Sequence, residues 1–240
     1  MKIVISGYGK MGKEIEKAAL ARGHRIVAKL DRAEEWSLQK KLISKSEMVI
    51  DFSMPGTALN NIRNCFDHKL PVVVGTTGWH EAEGIARKWC REEDQAIFVA
   101  SNFSIGVNIL YNLTEQLSKI VNRLDSYEIS LEEIHHIHKL DAPSGTAIRL
   151  AEIILHNVNR KKLWVNRQQE RPEELEILSV REGEIPGIHK ISCESDSDKL
   201  TLKHIAKGRK GFAVGALLAA EWLLGKKGFF EMKDLLHFPG

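Results

Sequence analysis

The chain has 240 residues, 43% of them hydrophobic, enough for one large core or two modest ones and too apolar for a disordered polypeptide. Its formal net charge is only +3, and the Lys and Arg residues are scattered without a basic block interleaved with aromatics. That balance argues against nucleic acid as a partner.

The opening run Met1-Lys2-Ile3-Val4-Ile5-Ser6 has the short apolar character of a buried strand. It leads into Gly7-Tyr8-Gly9-Lys10-Met11-Gly12, and helical periodicity follows through Ile15, Ala18 and Ala19. Glycines at this spacing, between a strand and a helix, form the dinucleotide fingerprint. The first permits a tight turn, the second lets the backbone approach a pyrophosphate, and the third lets helix and strand pack closely. A second strand is expected over 25–30. It ends at Asp31, 19 residues after Gly12, where a carboxylate would take ribose hydroxyls. Arg32 beside it suits the 2′-phosphate of NADP, so the pair predicts tolerance of both NADH and NADPH.

Strand and helix signals then alternate. Residues 48–51 form a strand running into Phe52-Ser53, and 57–66 a helix. Residues 71–74 form a strand closed by the turn Gly75-Thr76-Thr77-Gly78. A helix covers 82–89, and a fifth strand spans 96–100. Five strands joined by helical crossovers predict an α/β fold with a parallel, doubly wound sheet. Ligands of such sheets sit beyond the carboxyl ends of the strands. Gly7 to Gly12, Asp31, Phe52-Ser53, Gly75 to Thr77 and Ser101 to Phe103 all fall there.

The pattern changes after Ser104. Leu110, Leu113, Leu117 and Ile120 mark one face of a helix. Tyr127, Ile129 and Leu131 alternate with polar residues, as in a strand with one wet face. Residues 147–155 are helical, and the charged stretch 159–174 reads as a surface excursion. Segments 177–181, 188–194 and 200–205 are strand-like, with a turn at 196–198. Strands clustered in this way suggest a second, α+β domain. The apolar helix 212–224 contains Glu221 and is too short for a bilayer, so no membrane partner is expected. Cys65, Cys90 and Cys193 form no CxxC pair, and the first apolar run is cut by Gly7. A reducing, cytoplasmic setting without a signal peptide or zinc ribbon is the expectation.

The most informative stretch is Glu133-Ile134-His135-His136-Ile137-His138-Lys139-Leu140-Asp141-Ala142-Pro143-Ser144-Gly145-Thr146. It gathers three imidazoles, an ammonium and a helix start. Histidine exchanges protons near neutrality, lysine holds anions, and a helix start offers free N–H groups to a carboxylate. The segment reads as a place where a small acidic molecule is held and protonated. No HExxH or CxxC accompanies the histidines, so no metal site is expected. His138 reads as exposed or structural, and Trp36 and Trp79 as packing or surface residues.

Together these motifs resemble the dihydrodipicolinate reductase family (4-hydroxy-tetrahydrodipicolinate reductases) of bacterial diaminopimelate and lysine synthesis. The likeness is carried by residues 7–12, Ile-Asp-Phe-Ser at 50–53, Gly-Thr-Thr-Gly at 75–78 and Asn-Phe-Ser-Ile-Gly-Val-Asn at 102–108. Residues 133–146, 204–209 and 212–217 add to it. The resemblance implies a Rossmann-type dinucleotide-binding domain of residues 1–104 plus 210–240. It also implies an inserted mixed-sheet domain, 105–209, for substrate binding and homotetramer formation. His135 matches the family's proton donor, Lys139 a proton donor and substrate ligand, and His136 a substrate-binding histidine. Gly145 and Thr146 match a pair that grips a substrate carboxylate. Gly7, Tyr8, Gly9, Lys10, Met11, Gly12, Asp31, Arg32, Gly75, Thr76, Thr77, Ala100, Ser101, Asn102 and Phe103 match the NADH or NADPH site.

Two departures stand out. The glycine loop is one residue shorter than in many members, and Pro186-Gly187-Ile188-His189 replaces a common Gly-Glu-His. For a flat cyclic imine bearing two carboxylates, Lys139 and the N–H groups at Gly145 and Thr146 would orient the ring, with Arg209 a further clamp of the same domain. His135 would protonate the ring after hydride attack, which requires its imidazole to face the nicotinamide across a gap that the diacid fills. A dinucleotide sensor without turnover would have no need of His135, His136 and Lys139. An amino-acid dehydrogenase is disfavoured by the His-His-x-His-Lys run followed by Pro-Ser-Gly-Thr.

Overall fold

Short β-branched runs separated by amphipathic helices set the first half of the molecule. The computed structural model describes residues 1–238. In chain order it contains β1 (Lys2–Ser6), α1 (Lys10–Ala21), β2 (Arg25–Leu30), α2 (Glu35–Leu38), α3 (Lys40–Ile43), β3 (Met48–Asp51) and α4 (Pro55–Asp67). There follow β4 (Val72–Val74), α5 (His80–Glu92), β5 (Ala96–Val99), α6 (Ile105–Val121), β6 (Glu128–His135), α7 (Gly145–Asn157) and β7 (Leu163–Val165). The chain continues through β8 (Glu174–Arg181), β9 (Ile188–Glu194), β10 (Lys199–Ile205), α8 (Lys210–Leu223), β11 (Gly228–Phe230) and α9 (Met232–Leu236). It divides into two compact units, Met1–Ser104 with the chain from Arg209 onward, and Ile105–Gly208. The last two positions of the 210–240 segment expected from the sequence lie outside the described residues.

In the first unit six strands form one sheet in the order β11-β5-β4-β3-β1-β2, and every pair is parallel. Every residue of β3 and β4 is buried, as expected of strands covered on both faces. β1 stands between β2 and β3, so the chain reverses its direction of travel across the sheet there. That switch point leaves a crevice at the carboxyl ends of the strands. The sixth strand, β11, is absent from the sequence expectation. Its three residues are too few to show a period, and they join the sheet only through their pairing with β5. α8 packs within this unit through Gly215, where a Cβ would stand 1.8 Å from the Phe103 carbonyl oxygen.

The second unit is a five-stranded mixed sheet, β10-β9-β6-β8-β7. β6 runs parallel to β8 and antiparallel to β9. Its core gathers Leu110, Ile129, Leu131, Leu150, Ile154 and Ile177 between the sheet and the helices α6 and α7. The stretch 159–174 departs from the expected surface excursion. It contains β7, paired with β8, and the fully buried side chain of Lys161. The Lys161 ammonium donates to the carbonyls of Pro172 (2.9 Å) and Glu174 (2.7 Å) and pairs with Glu128. A charged sequence can therefore be internal when each donor finds an acceptor.

Candidate active site

The first unit gathers the expected cofactor residues at one edge of its sheet. Gly7 turns with φ +85° and donates its N–H to the Leu30 carbonyl at 2.7 Å. A Cβ on Gly7 would lie 2.3 Å from the Phe52 carbonyl oxygen, and one on Gly12 would lie 2.4 Å from the Gly7 oxygen. Gly9, at the start of α1, has open space where its Cβ would project. This is the cradle a pyrophosphate needs: crowded behind, bare in front, with the N–H groups of a helix start alongside. Tyr8 donates its backbone N–H to Asp31 at 2.5 Å, and Lys10 and Met11 lie in the first turn of α1. A cavity beside them has Ser6, Asp31, Arg32, Trp36, Ser53 and Thr57 among its walls. Trp36 and Trp79 are both buried packing residues.

The ends of β3 and β4 are organised by a group the sequence reading passed over. Asp51 is fully buried and accepts from Thr76 Oγ1 (2.7 Å), Ser53 Oγ (3.0 Å) and Asn61 Nδ2 (2.8 Å). Burial pushes its carboxyl up, against the lowering effect of these donors. Gly75 is pressed against the Phe52 ring, and Thr77 is exposed. Ala100 and Phe103 are buried, and the Phe103 ring packs on Phe52 and Phe98. Ser101 is exposed, and Asn102 Oδ1 accepts the Ser104 N–H at 2.9 Å. The Phe103 ring is thus part of the core, and its carbonyl oxygen lies against Gly215.

The histidine run occupies the end of β6 and the loop after it. Period two puts Ile129, Leu131, Glu133 and His135 on one buried face of β6. The register sets Glu133 opposite His189 on β9 and His135 opposite Arg181 on β8. The result is a polar cluster inside the second unit. Glu133 is fully buried; one oxygen meets His135 Nδ1, and the other accepts from Arg181 Nη2 at 2.9 Å. Burial alone would raise the Glu133 carboxyl, but the bonds from His135 and Arg181 outweigh it and hold the group at about 2. His189 crosses the His135 ring edge-on at 5.2 Å and meets Ser144 Oγ through Nε2 at 3.1 Å. Burial first, and the neighbouring His135 second, push His189 down to about 3, so it is neutral.

The sequence led to an imidazole facing a gap. The His135 side chain is 10% exposed and is walled by polar groups of its own unit rather than by apolar core. A Cβ on Gly187 would come within 2.9 Å of His135 Nε2, so only glycine leaves that nitrogen unobstructed on this side. Glu133, His135 and His189 carry metal-ligand atoms within 4.8 Å of one another. Arg181 already places a positive charge on the one carboxylate, and His135 takes the other oxygen. The trio fits a positioned imidazole better than a divalent cation.

Lys139 donates to both oxygens of Asp141, at 2.7 and 2.8 Å. Burial raises the Asp141 carboxyl, and Lys139, together with a backbone hydrogen bond and the nearby Arg181 charge, more than reverses that. Ser144 caps α7, its hydroxyl accepting the Ala147 N–H, and Gly145 and Thr146 form the first turn. Thr146 also meets the Tyr111 hydroxyl. His136 is half-buried, and His138 is 68% exposed and pairs with Glu184. Arg209 is exposed at the start of α8 in the first unit, not in the second, where the sequence reading put it. Glu133, Arg181 and His189 were missed. An acid and an imidazole at the buried phase of an alternating strand were the available signal.

Two family models match the chain: dihydrodipicolinate reductase, N-terminus, over residues 1–103, and dihydrodipicolinate reductase, C-terminus, over residues 106–236. A protein of Christiangramia forsetii described as 4-hydroxy-tetrahydrodipicolinate reductase is 45% identical over 237 residues, 98% of each chain. One of the same description from Neisseria gonorrhoeae is 33% identical over 202 residues, 81% of this chain and 74% of that one. Among solved structures, a dipicolinate-bound dihydrodipicolinate reductase from Paenisporosarcina sp. TG-14 shares the fold with TM-score 0.78 at 22% identity, covering 96% of this chain and 97% of that one. An amine dehydrogenase from Mycobacterium smegmatis shares the fold more distantly, at TM-score 0.57 and 7% identity, over 95% and 93% of the two chains. Among the described residues no helix is long and apolar enough to cross a membrane.

Proposed function

Because the chain belongs to the dihydrodipicolinate reductase family, and is thereby an NAD(P)H-dependent oxidoreductase reducing 4-hydroxy-tetrahydrodipicolinate, we propose that His135 is its proton donor and Glu133 the group that aims it. Bound NADH or NADPH supplies the hydride. The observation that carries the assignment is the buried carboxylate of Glu133, shared between Arg181 and His135 Nδ1. An ionised carboxylate has no proton to give, so Nδ1 must donate to it. Nε2 is then the ring nitrogen left to exchange a proton with substrate. The same negative charge stabilises the imidazolium that must exist before the proton is given up.

Carboxylate recognition falls to Lys139 and to the N–H groups of Gly145 and Thr146. Lys139 already holds a carboxylate, that of Asp141, and a substrate carboxylate would take over the same donors. The capped start of α7 adds N–H groups and a positive dipole end. His136 and Arg209 complete the proposed substrate set. Gly7 to Gly12, Asp31, Arg32, Gly75 to Thr77 and Ala100 to Phe103 are the proposed cofactor set, and the first unit the dinucleotide-binding domain. The second unit is the substrate domain. Its sheet has one face covered by α6 and α7, while Leu178 is exposed on the other beside the Glu132–Lys190 pair. That uncovered face is the proposed homotetramer interface of a cytoplasmic enzyme.

The test is an assay of reduced-cofactor absorbance with freshly prepared 4-hydroxy-tetrahydrodipicolinate, and with an amino acid in parallel. Turnover with the cyclic diacid and none with the amino acid is expected. The reverse pattern would overturn the reading.

A further inference from the structure

Resting on the reading that the first unit binds a nicotinamide dinucleotide, we propose that this chain binds NADH more tightly than NADPH because Glu35 fills the nest a 2′-phosphate would need. The nest consists of two consecutive backbone N–H groups after β2. Glu35 Oε2 accepts from the N–H of Asp31 at 2.6 Å and from that of Arg32 at 3.1 Å. Successive amides converging on one point are what an anion at this place in a Rossmann sheet uses. Here a side chain of the protein already takes them. The Asp31 amide first, and the Arg32 amide second, hold the Glu35 carboxyl below its ordinary value, so it is ionised at neutrality.

The cations of this corner are likewise engaged. Arg32, the residue that would greet a 2′-phosphate, has Nη2 3.5 Å from Glu35 and Nε 3.7 Å from Glu34. Lys29 pairs with Glu16 at 2.7 Å and donates to the Tyr8 hydroxyl at 2.9 Å. Four carboxylates (Glu16, Asp31, Glu34 and Glu35) thus surround two cations (Lys29 and Arg32). A phosphate brings roughly −1.5 to −2 further charge. It must either expel Glu35 from its amides or sit against it. A ribose with free hydroxyls meets no such conflict, since it needs an acceptor, and the Asp31 carboxylate borders the cavity. Arg32 therefore signals NADPH tolerance in the sequence but is neutralised by acids three residues or fewer away.

Calorimetric titration of the whole enzyme with NADH and with NADPH, in low-salt buffer without substrate, tests this. NADH is expected to bind about tenfold more tightly, the scale of one displaced charge-assisted contact. Glu35→Gln keeps an acceptor for the amides and removes the charge. It is expected to narrow the gap to about threefold or less, chiefly by tightening NADPH. Arg32→Ala, which leaves Glu35 in place, is expected to change NADPH affinity by less than about threefold, because that cation is already paired. Equal affinities in the unaltered chain, or tighter NADPH, would overturn the inference and leave the cofactor reading standing. So would an unchanged gap in Glu35→Gln or a tenfold loss of NADPH in Arg32→Ala. Binding of neither dinucleotide would overturn the inference and the cofactor reading together.

Discussion

At His135, the ring's neighbours decide what it can do. Nδ1 is held by Glu133, Nε2 lies over the bare backbone of Gly187, and His189 braces one edge. Replacing Glu133 by Gln removes the fully buried charge that binds Arg181 and leaves that half-buried guanidinium short of its carboxylate partner. A loss of roughly 2–4 kcal/mol in urea unfolding is expected, together with a fall in kcat that exceeds any rise in KM. The buried groups also make an acid-labile fold. His189 is neutral in the native state down to about pH 3, whereas the unfolded chain takes up its proton below the ordinary histidine value of 6.5. Between those values the unfolded state binds more protons, so stability falls as pH drops, by up to roughly 1.4 kcal/mol per pH unit. Glu133, held at about 2 against an ordinary 4.5, adds a second loss as pH falls through that lower window. Unfolding midpoints at pH 7 and pH 4.5 check this: His189→Gln should lose much of the difference seen in the unaltered chain. Glu133 was within reach of sequence reasoning, since it continues the phase of Ile129 and Leu131. Arg181 was not, and although His189 sits at the buried phase of β9, only strand pairing brings either residue to Glu133.

At the scale of elements, three strands build the cluster by register. β6 supplies Glu133 and His135, β8 supplies Arg181, β9 supplies His189, and the capped start of α7 adds Ser144. The turn between β8 and β9 closes over His135 through Gly187, whose φ of +154° also disfavours a side chain. Gly187→Ala should push the ring from Nε2 outward. The expected result is at least a tenfold fall in kcat with NADH affinity unchanged, because the glycine cradle lies in the other unit. Wild-type kcat in that variant would show that the approach to Nε2 is not through this turn. The longer helices of the first unit, α1, α4, α5 and α8, were legible because each keeps one period over several residues, whereas α2, α3, α9 and β11 are too short to show one. The polar stretch 159–174 was misread because composition registers charge, not whether a charge finds acceptors, and Lys161 finds four.

At the scale of the molecule, the parallel sheet and a separate α+β unit followed from strand and helix order alone. The sixth strand and the mixed directions of β6, β8 and β9 did not, since pairing between strands far apart in the chain leaves no local mark. The proposed tetramer belongs to this scale. Sedimentation velocity should give a particle of four chains, and charge reversal on the open sheet face, Lys190→Glu, should reduce it to smaller species. That substitution sets two acids opposite each other where Glu132 and Lys190 now pair at 2.6 Å. A monomer in the unaltered chain would remove the interface assignment.

The most direct measurement is the steady-state kinetics of His135→Gln beside a His80→Gln control on the exposed start of α5. Glutamine retains an N–H for Glu133 and has no proton to give at the other end. The account predicts a fall in kcat of roughly 10²–10⁴ with KM changed only severalfold and NADH affinity intact. A kcat within a factor of about two of the control, measured on a variant that binds NADH normally, would contradict it.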